Sequence, residues 1–360
     1  MNNNQLRIVQ LIDSLDAGGA ERMAVNYADV LMSEIAFSGL VVTRKEGLLK
    51  SQLKSEISYL FLNRKRILDF FVIIKFLKFL NKNNINWIHA HSSSIFFAVM
   101  IKFLKPSIKI IWHDHFGQSE FLDTRKYFFL KIANYFVNRN IVVNQQLLHW
   151  HKQKFTKHDI YYVPNFVQLS KLIPSTTVLK GTIGKRIVCL ANLRPQKNHF
   201  LIIEAAKLLR KSNPDWTFHL IGQDFEDDYS SSVQNIIKEN NLEDTIFLYG
   251  SRKDILSILK QAAIGILTSN SEGLPLALLE YGSCSLPVIA TKVGEIPNII
   301  KHEDNGLFIM PGDVKHFYEM LVKLINNKLL SNKLGNKLHF DILNNMSEAA
   351  IIKQYLLLLK

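Results

Sequence analysis

The sequence predicts an α/β protein made of two doubly wound, Rossmann-like domains. Apolar runs typical of buried strands alternate with helical segments, which is the pattern of a parallel sheet covered by helices on both faces. The alternation starts again near residue 186, after a stretch with Pro174, Gly181 and Gly184 that predicts a connection between domains. With 360 residues, 48% of them hydrophobic, the chain is long and apolar enough to form two cores.

We expect a first domain at residues 1–165, a connection at 166–185, a second domain at 186–345 and a terminal helix at 346–360 that packs back on the first domain. The predicted strands of the first domain are, in order, 6–12, 37–42, 86–90, 108–113 and 140–144. Those of the second domain are 186–192, 217–222, 245–250, 263–269 and 286–291.

The charge of the chain is concentrated in its first half. Residues 1–165 carry 22 Lys and Arg against 12 Asp and Glu, a net +10, whereas residues 166–360 carry 22 against 19, a net +3. A basic domain suits nucleic acid, an anionic membrane surface or an acidic ligand. The sequence contains no zinc-finger spacing, aromatic RNA-binding signature or helix-turn-helix pattern, so we do not expect nucleic acid as a partner.

Segment 64–82, RKRILDFFVIIKFLKFLNK, combines basic residues with a wide apolar surface. Such a helix can lie on an anionic membrane, and burial against its own sheet is the alternative. The charges in this segment exclude a spanning helix, and the N-terminus has no secretory signal pattern. We therefore expect a cytoplasmic protein that is peripheral on the inner face of the plasma membrane if this segment binds lipid. Cys189 and Cys284 lack metal-like spacing, which indicates reduced thiols.

Ligands of open α/β sheets collect beyond the carboxyl ends of the strands, so polar residues at those positions are the candidates for chemistry. The first predicted strand is followed by Gly18 and Gly19 and then by a helix. Glycines allow close approach of a ligand, and a helix N-terminus favours phosphate. The pattern is not GxGxxG, so a dinucleotide site is not supported, and a plain tight turn is the alternative.

Two histidine pairs follow later strands of the first domain, His89 with His91 and His113 with His115. Residues two apart on a strand share a face, so each pair could converge on a ligand or a metal. A metal site normally recruits carboxylate or thiolate ligands, and no third ligand lies near in sequence. We expect no metal, and a structural role for each imidazole remains an alternative.

The second domain places charged residues at two strand ends. Arg194 and Lys197 precede a helix, where a diphosphate would meet both cations and the helix N-terminus, although a solvated basic turn would look the same. Glu272 and Glu280 flank a GLP turn, with Pro275 suited to the first turn of a helix. Their separation suits two ends of an elongated, hydroxyl-rich ligand. A charge on a buried helix requires a partner, which we expect for Glu280.

Together these motifs resemble the retaining glycosyltransferases of family 4, which have the GT-B fold of two Rossmann-like domains facing each other across a cleft. The resemblance covers essentially the whole chain. It is carried by GGAER (18–22), WHDH (112–115), VPN (163–165), LRPQKN (193–198), SEGLPLALLEYGSCSLPVIATKVGEIPNII (271–300) and NGLFIMPGD (305–313).

The resemblance implies a metal-independent transferase that moves a hexosyl or N-acetylhexosaminyl group from a UDP-sugar or GDP-sugar, without a further cofactor. It implies a catalytic role for His113 near the reacting carbon and for Glu272 on the transferred sugar, while Glu280 binds the ribose. The remaining implied donor contacts are Gly18, Gly19, Arg194, Lys197, Gly273 and Leu274. His91 and His115 are candidates on the acceptor side. The implied acceptor is a saccharide, lipid-linked by analogy with bacterial surface polysaccharide assembly.

Two other functions fit the same sequence. A nucleotide-sugar epimerase of this fold would release a free sugar product without an acceptor. A non-catalytic protein would bind the nucleotide sugar and turn nothing over.

Overall fold

A computed structural model of the chain describes residues 3–156, 159–168 and 175–359. It contains two compact units, of which the first comprises Met1–Phe166 and Glu348–Lys360 and the second comprises Val167–Ser347. Residues 169–174 of the predicted connection, with Pro174, lie outside the described residues. The described part of that connection from residue 175 onward belongs to the second unit.

The first unit is built on a seven-stranded parallel sheet with the strand order β3-β2-β1-β4-β5-β6-β7. Its strands are Arg7–Ser14 (β1), Phe37–Lys45 (β2), Ser58–Phe61 (β3), Trp87–His91 (β4), Lys109–Asp114 (β5), Arg139–Val142 (β6) and Ile160–Tyr162 (β7). The helices between them are Gly19–Leu31 (α1), Phe70–Lys82 (α2), Ile95–Leu104 (α3), Phe128–Tyr135 (α4) and Gln145–Lys154 (α5).

The N-termini of α2 and α5 are fixed by side chains that their sequences supply. Asp69 accepts a hydrogen bond from the Val72 N–H, and Asn144 accepts one from the Leu147 N–H. Such caps satisfy backbone donors that have no partner within the helix. The basic segment 64–82 is therefore helical only from Phe70 onward.

The second unit has a six-stranded parallel sheet with the order β10-β9-β8-β11-β12-β13. Its strands are Arg186–Leu190 (β8), Thr217–Ile221 (β9), Ile246–Gly250 (β10), Ile264–Leu267 (β11), Val288–Thr291 (β12) and Leu307–Ile309 (β13). Its helices are His199–Ser212 (α6), Asp228–Glu239 (α7), Ile255–Leu259 (α8), Leu276–Ser283 (α9), Ile296–Ile299 (α10), Val314–Asn326 (α11) and Lys328–Asn345 (α12).

The last helix, Glu348–Leu357 (α13), belongs to the first unit. The Gln354 side chain donates to the Tyr162 carbonyl at 2.8 Å, and Arg139 Nε donates to the Leu358 carbonyl at 3.0 Å. Tyr355 is fully buried and its hydroxyl lies 3.1 Å from His89 Nδ1. These contacts attach the end of the chain to β4, β6 and β7.

All ten predicted strands are present, and the alternation of strands and helices is confirmed. Three strands were not predicted, namely β3, β7 and β13, and each lies at an edge of its sheet. Within the described ranges, no helix has both the length and the apolar character needed to cross a bilayer.

Candidate active site

Glu272 and Lys197 form a nearly buried ion pair in the second unit. Lys197 follows β8 and Glu272 follows β11, so both lie at the carboxyl edge of the sheet, and the Lys197 Nζ to Glu272 Oε1 distance is 2.6 Å. The Ser269 hydroxyl donates to the same Oε1 at 2.6 Å. Glu272 is only 5% exposed, and its Oε2 accepts no hydrogen bond from the described parts of the chain. One carboxylate oxygen is thus fixed and the other is left for a ligand.

The loop that carries Glu272 is held by backbone contacts to its neighbours. The Glu295 N–H donates to the Gly273 carbonyl at 2.9 Å, and the Thr291 hydroxyl donates to the Ser269 carbonyl at 2.6 Å. Gly294 has φ +55°, and a Cβ there would lie 2.1 Å from the Glu272 carbonyl oxygen. Only glycine allows these two loops to approach so closely.

Glu280 lies on α9, whose N-cap is Pro275, one residue before the first-turn position that the sequence predicted. The Glu280 side chain is 8% exposed and Leu274 is buried at the start of this segment. The neighbouring Tyr281 hydroxyl accepts from the Leu190 N–H at 2.7 Å and donates to the Ile266 carbonyl at 3.1 Å. This tyrosine fixes α9, and with it Glu280, against β8 and β11.

Arg194 and Lys197 have different surroundings although they lie on the same short turn. The Arg194 guanidinium is exposed and stacks on the Phe225 ring, 3.9 Å from the ring centroid. Lys197 instead turns toward Glu272, and its carbonyl accepts from the Thr268 hydroxyl at 3.0 Å. The structure therefore brings Lys197 and Glu272 together and leaves Arg194 beside an aromatic ring.

Gly18 and Gly19 form the entry to α1 in the first unit. Gly18 is the extended N-cap residue and Gly19 is exposed, with nothing within 4 Å of a Cβ built on it. The Arg22 N–H donates to the Gly18 carbonyl at 3.0 Å, which closes the first helical turn. The glycine turn and the helix start lie where the sequence predicts them.

Four histidines lie side by side at the ends of β4 and β5, with His115 directly after the last residue of β5. His89 Nε2 lies 3.1 Å from His113 Nδ1, and His91 Nδ1 lies 2.9 Å from His115 Nε2. His91 Nε2 is also 2.9 Å from Gln10 Oε1 on β1. Burial lowers the pKa of His89, His91 and His113 well below its usual value and lowers that of His115 to about 4. The cluster is therefore neutral near pH 7.

Asp114 points to the opposite face of β5 and anchors the strand end. Its carboxylate receives two hydrogen bonds from Arg125, at 2.6 and 3.0 Å, and lies 2.9 Å from His151 Nε2. Although burial opposes ionisation, Arg125 and His151 hold the pKa of Asp114 well below its usual range. This ion pair fixes the strand end between His113 and His115.

The sequence matches two families of known enzymes along most of its length. Residues 17–171 match Glycosyltransferase Family 4, and residues 179–338 match Glycosyl transferases group 1. The chain belongs to glycosyltransferase family 4.

Two relatives of this glycosyltransferase align with nearly its whole length. UDP-Gal:alpha-D-GlcNAc-diphosphoundecaprenol alpha-1,3-galactosyltransferase of Escherichia coli is 27% identical over 90% of this chain and 88% of its own. Capsular polysaccharide biosynthesis glycosyltransferase CapH of Staphylococcus aureus is 24% identical over 90% of this chain and 92% of its own length. The crystal structure of Anabaena HepE in complex with UDP-glucose matches with TM-score 0.82 and 18% identity over 99% of both chains. That similarity confirms the predicted GT-B fold.

In this glycosyltransferase, three of the clustered imidazoles meet the distance requirement of a metal site. One ring nitrogen from each of His89, His91 and His113 lies within 4.8 Å of the other two. The sequence offered no third ligand nearby because the third imidazole comes from the adjacent strand. The donor set is three neutral imidazoles that already share hydrogen bonds, and this group contains no carboxylate to balance a divalent charge.

Several residues around these sites were not predicted. Ser269 and Gly294 hold Glu272, and Tyr355 reaches His89 from the end of the chain. Gln10 alone had a sequence signal, since it is a polar residue within the otherwise apolar run IVQLI at 8–12. Ser269 lies three residues before Glu272 on the same loop, whereas the contacts of Gly294 and Tyr355 join segments that are distant in sequence.

Proposed function

We propose that this glycosyltransferase transfers a sugar from a UDP-sugar to a saccharide acceptor with retention of the anomeric configuration. The observation that carries the proposal is the arrangement of Glu272, with Oε1 held by Lys197 and Ser269 and Oε2 available for a sugar hydroxyl. UDP is favoured over GDP because it occurs in the names of the Escherichia coli galactosyltransferase and of the Anabaena complex.

The proposed roles follow from charge and position. Lys197 and Arg194 stabilise the diphosphate as it departs, together with the N–H groups at Gly18 and Gly19, and such stabilisation accelerates the reaction when it is stronger in the transition state. Glu280 accepts hydrogen bonds from the ribose, and the Gly273–Leu274 backbone contacts the donor sugar. His113 acts at the reacting carbon, with His91 and His115 on the acceptor side. No metal is required for these steps.

The test is an assay of purified enzyme with UDP-sugars, GDP-sugars and saccharide acceptors, with the configuration of the product determined by NMR. We expect a glycoside of unchanged anomeric configuration, and Glu272→Gln should lower its rate by about 100-fold or more. Glu204→Gln is the matched control, because Glu204 forms an exposed ion pair with Lys207 on α6. An inverted product, a free epimer without acceptor, or binding without turnover would each contradict the proposal.

We further propose that the acceptor is lipid-linked and that the enzyme binds an anionic membrane through an apolar rim on its first unit. The helices α2, α3 and α4 follow β3, β4 and β5, so their N-termini lie at the carboxyl edge of that sheet, where His113 also lies. Exposed apolar side chains gather at these N-termini. This apolar rim consists of Ile67, Leu68, Phe70, Phe71, Phe96, Phe121, Tyr127, Phe128 and Phe129.

Charge and exposure both favour a membrane surface as the partner. Phe71 is 84% exposed and Phe129 is 73% exposed, which is unusual for phenylalanine unless it meets a partner. Lys65 and Arg66 are exposed beside this rim and can reach anionic head groups. Arg64 does not contribute, because it is buried 3.6 Å from Asp13 and stacks on Phe97. Only the start of the segment 64–82 has the exposed apolar and basic side chains that can contact a membrane. In the helix that follows, Val72, Ile73, Phe76 and Leu80 are buried.

Cosedimentation with vesicles tests this surface. We expect binding to vesicles that contain phosphatidylglycerol, weaker binding to pure phosphatidylcholine, and a decrease of about tenfold for Phe71→Ser, because burial of a phenylalanine contributes about 1.5–3 kcal/mol. Phe103→Ser is the matched control, since Phe103 is 63% exposed at the other end of α3. Equal loss in both variants, or no preference for the anionic lipid, would contradict a role for the apolar rim.

A further inference from the structure

A chain of hydrogen bonds connects the last helix of the protein to His113. The Tyr355 hydroxyl lies 3.1 Å from His89 Nδ1, and His89 Nε2 lies 3.1 Å from His113 Nδ1. All three side chains are fully buried. At the far end, His113 Nε2 is buried and has no hydrogen-bond partner among the described residues.

The number of protons in this chain fixes its direction. Tyr355 keeps its proton because burial raises its pKa, and His89 and His113 are neutral because burial lowers theirs. The hydroxyl has no acceptor other than His89 Nδ1 in the described ranges, so it donates there. The single proton of His89 is then on Nε2 and is donated to His113 Nδ1. The single proton of His113 must therefore be on Nε2.

The opposite direction is less favourable. If His89 Nδ1 carried the proton, the buried phenolic hydrogen of Tyr355 would lose its acceptor, and an unsatisfied buried donor costs about 1–3 kcal/mol. His113 Nε2 would then be a bare acceptor. Each direction leaves one buried donor without a partner among the described residues, the Tyr355 hydroxyl in this one and His113 Nε2–H in the other. Tyr355 is enclosed in the aromatic cluster with Tyr27 and His89, whereas His113 lies at the carboxyl edge of the sheet, where a ligand can supply the missing acceptor. The direction that places the N–H on His113 Nε2 is therefore favoured when such a ligand binds.

We infer that Tyr355 and His89 are positioning residues that hold His113 in its Nε2–H tautomer, so that His113 presents a hydrogen-bond donor to a sugar oxygen during transfer. This inference rests on the proposed role of His113. In this tautomer the imidazole cannot accept a proton at Nε2, so His113 does not act as a general base. The other titratable groups packed against His113 are His91, His115 and Tyr27.

Two measurements test the inference independently. In ¹⁵N spectra of histidine-labelled enzyme, with His113 assigned by loss of its signals in His113→Gln, the proton of His113 should be on Nε2. Tyr355→Phe should add a population with the proton on Nδ1. The same variant should lower the transfer rate at saturating donor by about tenfold, the effect of one hydrogen bond, while donor affinity changes less than about twofold.

The chain offers a matched control and a conservative replacement. Tyr27 belongs to the same aromatic cluster, 5.0 Å from the His89 ring centroid, but its buried hydroxyl has no hydrogen-bond partner in the described structure, so Tyr27→Phe should leave the tautomer and the rate unchanged. His89→Gln retains an N–H that can reach His113 and should stay within about threefold of the wild-type rate, whereas His89→Leu should lose about tenfold or more.

The outcomes separate this inference from the proposed function. A proton on His113 Nδ1 in the wild-type enzyme, or a Tyr355→Phe variant with wild-type tautomer and rate, overturns the inference. A stoichiometric metal ion in the purified protein would do the same, because it would bind the nitrogens that these hydrogen bonds use. If no sugar is transferred from any donor, the proposed function fails, and the spectra still decide which tautomer Tyr355 imposes.

Discussion

Glu280 and Glu272 are separated by seven residues but lie on different kinds of structure, one on α9 and the other on a loop. We predict that Glu280→Gln weakens binding of bare UDP by about 1–3 kcal/mol, the range for a hydrogen bond to a charged group. Glu272→Gln should leave UDP affinity nearly unchanged, because Glu272 is proposed to contact the sugar. Calorimetry with UDP measures both affinities. An unchanged affinity for Glu280→Gln would contradict the proposed contact between Glu280 and the ribose.

Lys197 is proposed to supply the cationic charge that a metal would otherwise provide to the diphosphate. We predict that transfer continues in excess EDTA with less than about a twofold change in rate, since Lys197 and Arg194 are proposed to stabilise the leaving group. Lys197→Met should lower transfer by about 100-fold in the same buffer, with Lys207→Met on α6 as the control. Activity that disappears with EDTA and returns with Mg²⁺ or Mn²⁺ would show that the site depends on a metal.

Single residues also mark the limit of what the sequence could predict about the site. Gly18, Lys197 and Glu272 were recognisable because each follows an apolar strand and belongs to a local motif. The ion pair of Lys197 with Glu272 joins residues 75 positions apart, and the contact of Tyr355 with His89 joins residues 266 apart. Contacts of this kind depend on which strands are neighbours in the sheet, and local patterns do not contain that information.

At the scale of elements, strands in the interior of a sheet were predictable and most edge strands were not. Interior strands are covered on both faces, so β11 consists of a continuous apolar run and the apolar run of β1 from Ile8 to Ile12 is interrupted only by Gln10. β3, β7 and β13 have only four, three and three residues, and β3 is partly exposed throughout. Short, partly exposed edges lack the apolar run that identifies a buried strand.

The packing of α9 against β11 gives a prediction at the same scale. A Cβ on Gly265 would lie 2.8 Å from the Tyr281 ring, which is fully buried and holds β8 and β11 together. We predict that Gly265→Ala destabilises the protein by about 1–3 kcal/mol, the usual cost of overpacking. Urea unfolding measures the change, with Gly117→Ala as the control because a Cβ there meets nothing within 4 Å. Equal stability of both variants would show that the Tyr281 ring moves aside at little cost.

At the scale of the whole molecule, both units repeat one strand order, in which the third, second and first strands are followed by the fourth, fifth and sixth. The alternation of apolar runs predicted two such sheets, and the carboxyl-edge rule located Gly18, His113, Lys197 and Glu272. The net charges of the two halves differ by 7, as +10 against +3, and the apolar rim lies in the more basic half.

Buried neutral histidines occur in both units, and they set the pH dependence of stability for the whole chain. In the first unit these are the four clustered imidazoles of His89, His91, His113 and His115 at the ends of β4 and β5. In the second unit, burial lowers the pKa of His199 to about 4 and that of His219 to about 4, with Arg186 adding to the effect on His219. Because each folded-state pKa is lowered, the unfolded chain binds more protons at pH values between that lowered pKa and about 6.5.

The free energy of unfolding should therefore fall as the pH is lowered from about 7 to about 5. Each imidazole that stays neutral contributes up to about 1.4 kcal/mol per pH unit over that range. Carboxylates with lowered pKa, such as Asp114, also make the free energy of unfolding fall as the pH is lowered. They act only below about pH 4, so they do not account for a loss between pH 7 and 5.

Urea unfolding at pH 5, 6, 7 and 8 measures the slope of the free energy of unfolding against pH. His219→Gln should make the slope shallower, with replacement of the exposed His149 by Gln as the control. A flat profile between pH 5 and 7 would mean that the imidazoles become protonated inside the folded protein.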